Sequence, residues 1–193
     1  MTDWAPVTNL GDAALMLPLA LVCALWIRAA DKSEAVRWVL AISIGMALVG
    51  LVKFLHAGCG TEIRVLHFRV ISGHTMLSSA IWTVTIALLL GSANTRWWQF
   101  GASLGLLLSA AIGVGRVFEH AHTPIEVLAG WLLGGTIALV FLRHFFRLPR
   151  TLPHPRIAAI GLLAVSSIAY GHHAPIQSLI VHYSAWLCRW IEF

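Results

Sequence analysis

Apolar residues in this chain do not alternate or form narrow stripes; they come in long blocks separated by short polar gaps. A helix that crosses about 30 Å of hydrocarbon needs about 20 mostly apolar residues. Six blocks are candidates: Ala13 to Ala29, Ala35 to Leu55, Gly73 to Gly91, Trp97 to Val117, Pro124 to Phe145 and Arg156 to Tyr170. The sixth is short, and Pro18 is placed to kink the first. A last segment, Ile176 to Phe193, sets Leu179, Tyr183, Trp186 and Trp190 at roughly helical spacing. That pattern predicts an interfacial helix, with a seventh crossing as the alternative. No internal repeat or low-complexity linker interrupts the chain. The expectation is an all-α polytopic membrane protein, a single domain over residues 1–193 with about six transmembrane helices and a C-terminal interfacial helix.

Composition agrees with the blocks. The 193 residues are 59% hydrophobic and 11% charged, against roughly 25% charged in soluble domains. A pI near 9.7 raises the question of nucleic acid, but the basic residues sit in short gaps rather than on one soluble element. No nucleic-acid partner is expected. Cys23, Cys59 and Cys188 include no C-x-x-C pair, which argues against a zinc or thioredoxin-like site. An odd number also cannot all pair within one chain, although Cys59 and Cys188 are suited to a disulfide on one face.

Asp3 and Asp12 precede the first block while Arg28 and Lys32 follow it. A signal peptide has the opposite flanks, so this block is expected to be a retained helix with its N-terminus outside. One side of the membrane then receives Arg28, Lys32, Arg37, Arg96, Arg143, Arg147, Arg150 and Arg156; the other receives Lys53, Arg64, Arg69, Arg116 and Arg189. The positive-inside bias puts the first set in the cytoplasm of a bacterial-type inner membrane.

The outward side also receives eight of the ten histidines: His56, His67, His74, His120, His122, His172, His173 and His182. Three polar pieces reach that face together. Lys53 closes the second span, Ser72-Gly73-His74 opens the third, and Arg116, His122 and Glu126 bracket the turn between the fourth and fifth. Ser-Gly-His at a helix start offers free amides at the positive end of the dipole. Lys53 and Arg116 suit phosphoryl oxygens. Two histidines of different role permit covalent transfer, one attacking phosphorus and one protonating the departing alcohol. The competing explanations are local: a snorkelling Lys53, a headgroup-binding Arg116, a helix-starting Ser72, and a capping box at Thr123-Pro124-Ile125-Glu126.

These segments resemble the type 2 phosphatidic acid phosphatase family, whose blocks read K-x6-R-P, P-S-G-H and S-R-x5-H-x3-D. Here they read Lys53, then Ile71-Ser72-Gly73-His74, then Gly115-Arg116 with His122 and Glu126 in register. The run GRVFEHAHTPIEVLAGWLLGG is especially similar, and the resemblance covers residues 53–135. It implies a metal-independent lipid phosphatase with no cofactor and a membrane lipid phosphate as substrate. His122 would be the nucleophile that forms a phosphohistidine, His74 the general acid and Glu126 the partner of His122. Lys53, Ser72, Gly73 and Arg116 would bind phosphate.

The departures are Gly60-Thr61 where the family has Arg-Pro, Ile71 for proline, Gly115 for serine and Glu126 for aspartate. Arg64 and Arg69 are the candidates to replace the missing arginine. Undecaprenyl diphosphate, phosphatidate, phosphatidylglycerophosphate and lipid A phosphates are all compatible with the pattern. A phosphotransferase between lipids and a non-catalytic lipid-binding protein on the same helices are the alternatives. The pattern carries no information on oligomeric state.

Overall fold

A computed structural model describes residues 4–148 and 150–184 of the chain. Among them the elements are all helical: α1 (Ala5–Thr8), α2 (Ala13–Ala30), α3 (Lys32–Cys59), α4 (Gly73–Ala93), α5 (Trp98–Phe118), α6 (Pro124–Phe145), α7 (Pro155–Ala169) and α8 (Ile176–Ser184). Five of these, α2 through α6, are long and apolar enough to cross a membrane. The sixth expected span, α7, has 15 residues and reaches only about 22 Å at 1.5 Å per residue. It starts at Pro155, after His154 in a left-handed conformation, and Gly171, at φ 82°, follows its end. The helix α8 begins where the C-terminal segment was expected to; Trp186, Cys188 and Trp190, and with them the Cys59–Cys188 pairing, lie outside the described residues.

Polar residues between the blocks start four of the five long helices. The Asp12 side chain accepts from the Ala14 amide, Asp31 from Ser33 and Glu34, Ser72 from Thr75, and Thr123 from Glu126. Each satisfies amides that a helix start leaves without partners. α2 runs unbroken through Pro18. α3 overshoots its expected end at Leu55 and stops at Cys59, where Gly60 takes a left-handed conformation at φ 64°. A single lysine does not end a helix, whereas a left-handed glycine does. Lys53 therefore sits inside α3 rather than at its tip.

The most buried helix is α4, held between α5 and α6. Close backbone approach makes this possible. A Cβ at Gly134 would stand 2.1 Å from the Met76 carbonyl oxygen, and one at Gly105 would stand 2.3 Å from Thr83 Cα. Small residues at such crossings let helices pack by dispersion where lipid removes the hydrophobic drive. Tryptophan N–H groups add fixed points between elements: Trp38 donates to Ala20 O (3.1 Å), Trp82 to Leu10 O (2.9 Å) and Trp131 to Leu106 O (3.0 Å). Successive helices run antiparallel, so the starts of α2, α4 and α6 and the ends of α3, α5 and α7 share one end of the bundle.

Candidate active site

At that end the first turn of α6 carries a carboxylate, Glu126, with no solvent exposure. One oxygen, Oε2, accepts from the Thr123 amide (3.2 Å) and from His122 Nδ1 (2.9 Å). The other, Oε1, accepts from the amides of Arg69 (3.0 Å) and Val70 (3.4 Å) and from Arg69 Nε (3.3 Å). Capping box and histidine partner thus coexist: Thr123 and Glu126 complete the box while the same carboxylate holds the imidazole. With Nδ1–H donating to a carboxylate, Nε2 keeps its lone pair. The sequence left open which nitrogen that would be.

The turn Glu119–Thr123 presents His122 with its side chain 9% exposed. Burial pushes the imidazole below its ordinary range, and the charges of Lys53 and Arg116 act in the same direction against the Glu126 hydrogen bond. The neutral form is favoured. Both cations, Lys53 of α3 and Arg116 at the end of α5, thus act electrostatically on His122.

The start of α4 is joined to α6 by a hydrogen bond from the Ser72 amide to the Glu126 carbonyl (3.1 Å). Ser72 itself is fully buried, its hydroxyl 2.9 Å from Thr75 Oγ1 and capping the Thr75 amide. The side chain is committed to starting the helix. The Gly73 and His74 amides, at the first positions of α4, have no intrahelical acceptor. Lys53 Nζ lies within 3.9 Å of where a Cβ on Gly73 would be. Its partner is neutral: Gln177 Oε1 at 3.0 Å, from α8. A cavity of ≈ 130 Å³ opens beside these groups; its lining includes Asp12, Lys53, Gly73, His74 and Gln177 and the apolar Met46, Val49, Leu77 and Ile180.

The guanidinium of Arg116 donates through Nη1 to Glu119 Oε2 (2.8 Å), and Thr8 Oγ1 donates to the other Glu119 oxygen (2.7 Å). Its Nε is buried and has no hydrogen-bond partner among the described residues. The two candidates for the missing arginine differ. Arg69 contacts Glu126; Arg64 pairs with Glu62 (2.8 Å) and is 89% exposed. Sequence reasoning missed Glu119, Gln177 and Asp12. Only Glu119 left a local signal, three residues after Arg116; the others arrive from distant elements.

A family model, that of the PAP2 superfamily, matches residues 53–150. A protein of Klebsiella pneumoniae described as an uncharacterized 22.5 kDa protein in the cps region is 30% identical over 188 residues, covering 92% of this chain and 88% of that one. An undecaprenyl-diphosphatase of Sulfolobus acidocaldarius is 29% identical over 111 residues, covering 54% of this chain and 50% of its own length. No solved structure matches the chain.

Proposed function

The chain belongs to the PAP2 superfamily, and from that premise we propose that it hydrolyses a lipid phosphomonoester or diphosphate through a phosphohistidine at His122, without a metal. The observation that carries this is the 2.9 Å contact between His122 Nδ1 and Glu126, with the charges of Lys53 and Arg116 acting on the same imidazole. In the first step His122 Nε2 attacks phosphorus. The P–N bond forms as the P–O bond to the lipid breaks, and His74 gives its proton to the leaving oxygen. In the second step water attacks phosphorus, its proton goes to His74, the P–N bond breaks and inorganic phosphate departs. Glu126 fixes the tautomer and stabilises the imidazolium-like charge that builds on His122. Lys53, Arg116 and the Gly73 and His74 amides neutralise the phosphoryl oxygens, which gain charge in the transition state.

The apolar walls of the cavity between α3, α4 and α8 support a lipid tail that enters sideways at headgroup depth. The distribution of Lys and Arg supports an inner-membrane protein whose site faces outward. The Sulfolobus relative's name makes undecaprenyl diphosphate the first substrate to try.

The test is phosphate release from undecaprenyl diphosphate, phosphatidate, phosphatidylglycerophosphate and lipid A in detergent, with chelator present. The expected result is release of free phosphate from at least one of them, abolished in His122→Ala. No release from any, or phosphate recovered only on an acceptor lipid, overturns hydrolysis.

A further inference from the structure

The mechanism leaves one buried anion at the site without a task. Asp12 precedes α2, lies outside the family-matched segment and is 5% exposed. Its two oxygens do different things. Oδ1 accepts from the amides of Ala14 (2.8 Å) and Ala174 (3.0 Å), which caps α2 and ties down the stretch after α7. Oδ2 faces two imidazoles, with His74 Nε2 at 3.4 Å and His173 Nδ1 at 3.2 Å. Burial opposes the charge, but hydrogen bonds from His74, from the Ala14 and Ala174 amides and from His173 hold the carboxyl well below the usual carboxylate range. Asp12 is therefore an anion whose second oxygen is not needed for capping.

We propose that Asp12 is a positioning residue for His74: Oδ2 accepts from Nε2–H, fixes the ring, and leaves Nδ1 to deliver the proton to the leaving oxygen. This rests on the general-acid role proposed above for His74. When the P–O bond breaks, the Nδ1 proton moves to the departing alkoxide, and the Nε2–H remains on Asp12, which takes up no proton itself. In the second step Nδ1 receives the proton of the attacking water. The other ionisable groups around His74 are His173, from the stretch after α7, and Lys53 of α3, which lines the same cavity. The arrangement pairs the nucleophile with one carboxylate, Glu126 of α6, and the acid with another from the opposite end of the sequence.

The test compares Asp12→Asn in the full chain on an alkyl lipid phosphate and on a nitrophenyl phosphate, whose phenoxide leaves without needing a proton. Asparagine caps a helix as well as aspartate does, so α2 still starts. Turnover of the alkyl phosphate is expected to fall about 10- to 100-fold while the aryl ester loses less than about threefold. Asp12→Glu should recover part of the loss, and adding Asp12→Asn to His74→Ala should cost nothing further. Equal losses on both substrates, no loss on either, or full additivity with His74→Ala overturn the proposal; Asp12→Ser, which also caps, gives the same reading should the asparagine variant fold poorly. The underlying acid role fails separately, if His74→Ala itself keeps normal turnover of the alkyl phosphate.

Discussion

Each end of the bundle carries a fully buried glutamate beside a histidine and an arginine, and the two sites are built differently. At the active-site end Glu126 uses both oxygens, and three of its five donors are backbone amides. At the other end Glu34 gathers Arg37 (2.8 Å), Arg150 (3.1 Å) and His144 (3.2 Å) on one oxygen, while Oε2 has no partner among the described residues. Arg37 and His144 also contact each other. Arg150 reaches back to Asp31 as well (3.2 Å) and donates to the Phe145 carbonyl (2.8 Å). That cluster ties the segment after α6 to the turn between α2 and α3. Its bound cations answer carboxylates. At the candidate-site end Lys53 meets the neutral Gln177 amide oxygen, and Arg116, besides its pair with Glu119, keeps a buried Nε–H with no partner among the described residues. A histidine–carboxylate pair is therefore not what distinguishes the site; a lysine with a neutral partner and an arginine N–H left unsatisfied beside that pair are.

The largest contrast is expected between the two histidines. His122→Ala should lower phosphate release by more than about 1,000-fold, and His144→Ala should stay within about threefold of the parent, both measured per folded protein. Next come the two glutamates. Glu126→Gln keeps a capping oxygen but loses the charge facing His122, and turnover should drop by about 100- to 1,000-fold. Glu34→Gln should instead cost about 1–3 kcal/mol of stability, read as a lower melting temperature in detergent with turnover of the folded fraction little changed. If Glu34→Gln removed turnover while leaving stability intact, the contrast between the two ends would collapse.

The smallest effect is in pH. Attack needs neutral His122, and burial together with Lys53 and Arg116 disfavours its protonated form. A lowered imidazole value means that the neutral form persists on the acid side of about 6.5. The acid limb of kcat/KM should therefore fall below that pH, and Lys53→Gln, by removing a neighbouring positive charge, should move it upward. A limb at higher pH in the parent would contradict the assignment.

The long apolar blocks made the spans legible in the sequence, because burial in lipid leaves few ways to place 20 such residues. Helix ends were less legible. Nothing about Lys53 stops α3, and the stop at Gly60 depends on a backbone conformation that hydropathy does not register. Within the candidate site, Arg116, His122 and Glu126 stood out in the sequence because they are near one another in the chain. Glu126 had seemed to have two competing roles, capping and histidine support, and each of its oxygens turns out to serve several donors at once. Spacing could not tell Arg64 from Arg69; in the fold Arg69 meets Glu126 through its amide and its Nε, whereas Arg64 pairs with Glu62. Asp12 was read only as a flanking charge, since its contact with His74 exists only once α2 and α4 are packed.

The proposed reaction depends on a covalent bond between phosphorus and His122. Rapid quenching of the enzyme with a radiolabelled lipid phosphate, under alkaline conditions that preserve phosphohistidine, followed by peptide mapping, tests it most directly. Acid-labile, alkali-stable label is expected on the peptide that contains His122, absent in His122→Ala and accumulating when the water-attack step is slowed. Turnover without any label on that peptide, or label recovered on a different residue, would contradict it.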